Sequence, residues 1–282
     1  MLEALSAEAL KMRTHKATWF LVWLVPIAFT IVMLLMIAAG MMGFEAPEQP
    51  NVHSWLENTT LIWFVPNNAV GRYLLSAFVV VVFAGEYGWN TWKLIVPHRR
   101  RPSLIAAKYA LTVILFAISF LLTAALLTGL AFVDDALTGD TLPAGITASV
   151  IWGEHGRTAL AAVAPVLISI AYASLAAVLT RSTIAALVIA IVATTIEQVV
   201  VGFGPQLYTK FPSIVWPLYQ VLPGHHIANL ADCIREGAAL KRAFPGGLVV
   251  HYSCTASLAI LLAWIAALWG ATFAAFRRQD IN

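Results

Sequence analysis

The chain is predicted to be an all-α polytopic membrane protein with six transmembrane helices, and three observations predict it. Hydrophobic residues fill 60% of the 282 positions and charged residues only 11%, with a mean hydropathy of +0.82. A soluble domain of this length could not bury so much apolar surface, so a bilayer must be the solvent. The apolar residues gather into six long runs, and the basic residues fall mainly on one side of them. A formal net charge of +3 and a pI near 9.0 would suggest an acidic partner for a soluble protein. Here the position of each charge relative to the membrane matters more, and nothing argues for nucleic acid.

Residues 1–17 come first. Leu2, Leu5, Ala9 and Met12 recur at helical spacing, with Glu3, Glu8, Lys11 and Arg13 on other faces. That pattern suits an amphipathic helix lying in the inner interface, the alternative being a frayed terminus. The six runs follow at 18–42, 68–85, 106–133, 158–180, 183–203 and 255–276, most of them near or above the ~20 residues that cross ~30 Å of hydrocarbon. The second run, Arg72–Gly85, is short unless Asn68–Val70 extend it. Pro26 and Pro165 are expected to kink their helices, since neighbouring helices can satisfy the carbonyls that a proline frees. The first run is read as a permanent span: its apolar core is too long for a cleaved signal, Glu3 and Glu8 precede it, and no small-residue cleavage site precedes Gly43.

Placing the N-terminus in the cytoplasm puts Lys11, Arg13, Lys16, Lys93, Arg99, Arg100, Arg101, Lys108, Arg181, Arg277 and Arg278 inside. Arg72, Arg157, Lys210, Arg235, Lys241 and Arg242 then fall outside, with most of the acidic residues. This positive-inside bias predicts both termini in the cytoplasm. Residues 44–67 and 134–156 read as acidic, turn-rich outer loops. Residues 204–253 are different: an apolar-aromatic stretch from Phe211 to Leu222 is broken by Pro212 and Pro217 and followed by Pro223. It is too short to span, which predicts a re-entrant or interfacial element, followed by a short helix over Ile227–Leu240. No internal repeat suggests the inverted halves of a secondary carrier. Cys233 and Cys254 fall on the same outer side, where they either bridge or remain buried thiols.

Between the second and third runs lies Glu86-Tyr87-Gly88-Trp89-Asn90-Thr91-Trp92-Lys93-Leu94-Ile95-Val96-Pro97-His98-Arg99-Arg100-Arg101, with Lys108 downstream. Trp89, Trp92 and Val96 share one helical face, while Glu86 near the start and Lys93 near the end suit the helix macrodipole. Pro97 ends the helix. Physics alone describes a basic cytoplasmic turn with aromatic anchors. The segment also resembles the first cytoplasmic loop of type-2 ABC transporter permeases, which reads E-x-x-x-G-T, then P-x-x-R, then K. Glu86, Thr91, Pro97, Arg100 and Lys108 occupy the matching places, and Asn90 stands where that family usually has glycine.

The resemblance implies a coupling helix seated in a cleft of an ATPase, with Glu86, Tyr87, Thr91, Trp92, Arg99, Arg100, Arg101 and Lys108 as the coupling loop. It further implies two ATPase copies, a second permease chain, and a bacterial cytoplasmic membrane. No lysine lies in a G-x-x-x-x-G-K-[ST] loop, so this transport subunit is expected not to be an enzyme. ATP and Mg would be bound by the partner, and no cofactor by this chain.

Outside that loop, Glu197 is the acidic residue set well inside a run, and with Thr194, Thr195 and Gln198 it makes a polar patch. An intramembrane carboxylate faces the bundle interior or water, so Thr194, Glu197 and Gln198 are candidates for a substrate path, or Glu197 pairs with a loop cation. His53, His155, His225, His226 and His251 on the outer side lack the spacing of a preformed metal site. H-E-x-x-H and G-x-S-x-G motifs are absent. The leading reading is an ATP-driven exporter half moving an amphipathic or lipophilic substrate. A metal-handling membrane enzyme or assembly factor and an ion-coupled carrier are the alternatives.

Overall fold

The computed structural model describes residues 2–44, 51–88, 92, 100–139 and 142–279. Helix α1 (Leu2–Thr14) precedes the first span, α2 (Lys16–Met41). At the end of the bundle opposite α1, which the charge asymmetry predicts to be outer and which is called outer below, come α3 (Val52–Thr60) and a 3-10 segment, Leu61–Asn67. The later spans are α4 (Ala69–Gly88), α5 (Arg101–Thr138), α6 (Ala148–Thr180) and α7 (Thr183–Tyr208). Two shorter helices, α8 (Pro212–Val221) and α9 (Pro223–Glu236), lead into a hairpin of β1 (Lys241–Ala243) and β2 (Val249–His251). The last span is α10 (Cys254–Arg277). Among the described residues, six helices are long and apolar enough to cross a membrane.

Local chemistry sets the helix ends. Thr147, Ser182 and Ser253 accept backbone N–H bonds at the starts of α6, α7 and α10, supplying acceptors that a helix start otherwise lacks. Pro26 cannot donate to the Val22 carbonyl, and a wide π turn over Trp19–Trp23 precedes it. Ser119 of α5 donates to that carbonyl at 2.8 Å, so the neighbouring helix completes the broken ladder.

Four expectations need correction. The outer segment after the first span contains α3, begun by a reciprocal Asn51–Ser54 capping box, and the 3-10 segment; their Trp55 and Trp63 indoles donate to Asp135 and His155 at 3.0 Å each. Residues 134–156 are less of a loop than expected, because α5 and α6 run on for 38 and 33 residues, well past the ~20 needed to span. The segment after α9 is a hairpin rather than a continuation of helix: Gly237 leaves α9 with φ +69, a left-handed conformation that ends it. Finally, α1 does not keep all its charges on its open face: Glu3 and Arg13 are exposed, but Glu8 is 6% exposed while apolar Leu10 is 67% exposed. The expected coupling helix lies largely at 89–91 and 93–99, outside the described residues, and Thr91 and Arg99 are among them.

Candidate functional site

Glu86 ends the inner part of α4 and Lys108 opens α5, and both are fully buried. Lys108 Nζ donates to Glu86 Oε1 at 2.9 Å and to the Val82 carbonyl at 3.0 Å, and lies 3.1 Å from Glu8 Oε1. Lys11 donates to the same Glu86 oxygen. Two carboxylates and two ammonium groups from α1, α4 and α5 therefore compensate one another. A lone charge in this place would face a desolvation cost of several kcal/mol, which partners of opposite sign offset. The Trp92 ring lies 5.3 Å from Lys108 Nζ, within the range at which an aromatic face attracts a cation. Glu8 Oε2 has no hydrogen-bond partner among the described residues.

The same corner gathers the C-terminal end of the chain. Trp92 packs on Phe276 with ring centroids 4.5 Å apart. Arg101 Nη1 donates to the carbonyls of Arg277 at 2.9 Å and Gln279 at 2.7 Å, placing a cation on the negative end of α10. Tyr87 donates to Gln279 Oε1 at 2.6 Å, and Gln279 Nε2 reaches the Val178 carbonyl of α6 at 2.6 Å. The described residues among those expected to form a coupling loop thus separate into two groups. Glu86, Trp92 and Lys108 are interior, whereas Arg100 is exposed and Arg101 half-buried.

A second buried cluster lies toward the opposite end of α4. Arg72 meets Glu197 of α7 through two bonds, Nη1 to Oε1 at 2.5 Å and Nη2 to Oε2 at 3.3 Å. Its Nε donates to Ser169 Oγ of α6 at 3.0 Å, and Tyr172 donates to Glu197 Oε2 at 3.1 Å. Arg72 is therefore not an outer-surface charge, and the cation that pairs with Glu197 comes from a helix, not a loop. The forked geometry suits a guanidinium better than an ammonium. Gly224 at the start of α9 is pressed onto this site: a Cβ there would stand 2.7 Å from Glu197 Cγ. Thr194 is buried with its hydroxyl unpartnered, and Gln198 is half-buried and outside the carboxylate's bonded set.

On the outer element, Cys233 and Cys254 form a disulfide with Cα atoms 5.9 Å apart. Asn229 clamps the same region, donating to the Tyr252 carbonyl and Ser257 Oγ and accepting from Leu240 N. His226 bonds Ser257 Oγ at 3.0 Å and the Gln220 carbonyl at 2.8 Å. Burial, with help from His226 and Arg242, pushes the His225 imidazole down to about 4, and burial lowers His226 as well. Among the described residues, no three His, Cys, Asp or Glu side chains converge as a metal site would require.

Sequence reasoning missed Glu8 and Lys11 as partners of the loop motif, and Arg72 as the partner of Glu197. A signal for the second existed: an arginine at the edge of one apolar run and a glutamate inside another are each expensive alone and cheap together. No curated protein matches the chain. The family model described as ABC-2 family transporter protein matches residues 4–197, a stretch that includes both buried clusters and ends before the outer element.

Proposed function

The chain belongs to the ABC-2 family of transporter proteins, and from that premise we propose that it is the membrane half of an ATP-driven exporter. As a family member it is the membrane permease of an ABC transporter and works with an ATPase. In the proposed assembly that ATPase is a separate chain present in two copies, binding ATP and Mg, and a second permease chain completes the pathway. The membrane is a bacterial cytoplasmic membrane with both termini inside.

The observation that carries the docking proposal is the brace behind the loop at 89–99. Glu86 and Lys108 flank that loop, and they tie its two ends to each other and to α1. Arg101 and Tyr87 tie it to the end of α10. A push on the loop would then reach α1, α4, α5 and α10 together, with exposed Arg100 nearer the ATPase and buried Glu86 transmitting force behind it. ATPase closure tilts α2, α4 and α7 and opens a cavity outward. An amphipathic or lipophilic substrate is supported by a cleft of about 410 Å³ between α5 and α6, walled by Trp63, Phe116, Phe120, Leu160 and Val163.

The test is co-purification with an ATPase encoded beside this chain, followed by ATP hydrolysis and transport assays on Glu86→Ala and Arg100→Ala. The exporter reading expects outward transport that depends on ATP and fails in both variants. A complex indifferent to both substitutions would remove the docking assignment. ATP-independent transport abolished by Glu197→Gln would favour an ion-coupled carrier.

A further inference from the structure

Three polar groups of the outer element converge with hydrogen-bonding capacity to spare. His225 is fully buried and neither ring nitrogen has a hydrogen-bond partner; Tyr219 is 1% exposed and its hydroxyl faces the Arg242 guanidinium. Arg242, half-buried on β1, also has an unpartnered Nε. Their placement is shared. The Tyr219 and His225 rings are 4.9 Å apart. Tyr219 packs so closely on Gly204 of α7 that a Cβ there would meet its ring at 2.6 Å. Arg242 Nη2 reaches the Val201 carbonyl, one turn before Gly204, at 3.4 Å. Arg242 forms no salt bridge among the described residues. The nearby Glu197 has both oxygens engaged by Arg72. Buried polar atoms in native proteins nearly always have partners, so under-satisfied groups around a cation mark a place suited to an anion.

The surroundings say what kind of anion. Tyr208, Trp216, Phe244 and Tyr252 pack around the cluster, and tyrosine and tryptophan are the amphipathic rings that settle at headgroup depth. Tyr252, 5.8 Å from the His225 ring, also lines a groove of about 560 Å³ with Val221, Ile260, Ala263, Trp264 and Ala267. Ile260 to Ala267 is about 10 Å of helix, set within the sixth span and therefore at acyl-chain depth. A polar anion site and an apolar groove thus meet at one tyrosine.

We propose that Tyr219, His225 and Arg242 bind the acidic headgroup of a membrane amphiphile, a phosphodiester or carboxylate, whose acyl chain lies in the groove along α10. Arg242 supplies the charge, while Tyr219 and His225 each donate one hydrogen bond. This assignment is independent of the exporter reading and needs no ATPase. The test uses the purified full chain in nanodiscs of phosphatidylcholine, with and without phosphatidylglycerol, read by thermal melting and by lipid retained in native mass spectrometry. Phosphatidylglycerol is expected to raise the melting temperature and to be retained. Arg242→Gln should weaken retention about tenfold, since a hydrogen-bonded charge is lost, and Tyr219→Phe should weaken it less. Arg242→Lys, which keeps the charge, should preserve the preference and separates loss of binding from loss of fold. Equal behaviour in the two lipids, a preference that survives Arg242→Gln, or full stabilisation by inorganic phosphate alone would each overturn the proposal.

Discussion

Helix α4 carries a buried ion cluster toward each end, and the two are built differently. At the inner end, Glu86 is shared by Lys11 and Lys108, and Lys108 is shared by Glu86 and Glu8. Lys11 is 30% exposed there, and Glu8 leaves one oxygen unpartnered. Toward the outer end, Arg72 and Glu197 are each 1% exposed and satisfy one another by a fork, with Ser169 and Tyr172 filling the remaining valences. The outer cluster is a closed rivet joining α4, α6 and α7. The inner one has spare capacity and sits where α1, α4, α5 and the end of α10 meet, so its partners can exchange. Burial alone does not say whether a salt bridge fixes a fold or transmits a movement; the completeness of its hydrogen bonding does.

The largest effect is expected from opening the rivet. Arg72→Ala leaves a buried carboxylate uncompensated and should cost about 3–5 kcal/mol, measured as a drop in melting temperature and in yield of monodisperse protein in detergent. Glu197→Ala should cost a similar amount. The double variant Arg72→Leu with Glu197→Leu should recover most of the loss, because no orphan charge then remains. Additive costs in that cycle would show that the two residues do not act as a pair.

Glu86→Ala comes next. It removes the carboxylate that Lys11 and Lys108 share and leaves Lys108 with Glu8 and the Val82 carbonyl, so the expected loss is about 2 kcal/mol, below that of Arg72→Ala. Its functional effect should run the other way, with ATP hydrolysis by the co-purified complex no longer responding to substrate. If Glu86→Ala costs more stability than Arg72→Ala while hydrolysis stays coupled, the distinction between rivet and clasp is wrong. Lys11→Ala probes the exchangeable edge of the clasp. Since Lys11 is partly exposed and Lys108 remains on Glu86, the cost should be about 0–1 kcal/mol, with weaker coupling as the visible phenotype.

The spans were legible in the sequence because hydropathy is a local quantity, summed over neighbours along the chain. Proline tolerance was legible for the same reason, although its agent, Ser119, was not. The partners of the candidate residues were hidden because they are distant along the chain: Lys11 is 75 residues from Glu86, and Arg72 is 125 from Glu197. The loop motif pointed to Glu86 and Lys108 but not to their burial or to their pairing with α1. The hairpin at 241–251 escaped because each strand has only three residues, too few for alternation to register.

The outer element offers the gentlest test, since pH acts on it without a substitution. His225 is held at about 4 in the folded chain, against an ordinary value of 6.5. Between those values the unfolded chain takes up a proton that the folded chain declines. Stability is therefore whole above about pH 6.5 and falls as acid is added, levelling near pH 4. His226 is lowered too and contributes with the same sign. A melting series across this window should slope downward toward acid, and His225→Gln should flatten part of the slope while leaving His226's share. A slope unchanged in that variant would remove His225 as its source. Because Gly224 presses on Glu197 just before His225 in the chain, Arg72→Ala, which opens the rivet, should flatten the same slope. That coupling is expected because loosening the floor under α9 lets its imidazoles reach water, which moves their folded values back toward 6.5 and shrinks the difference from the unfolded chain.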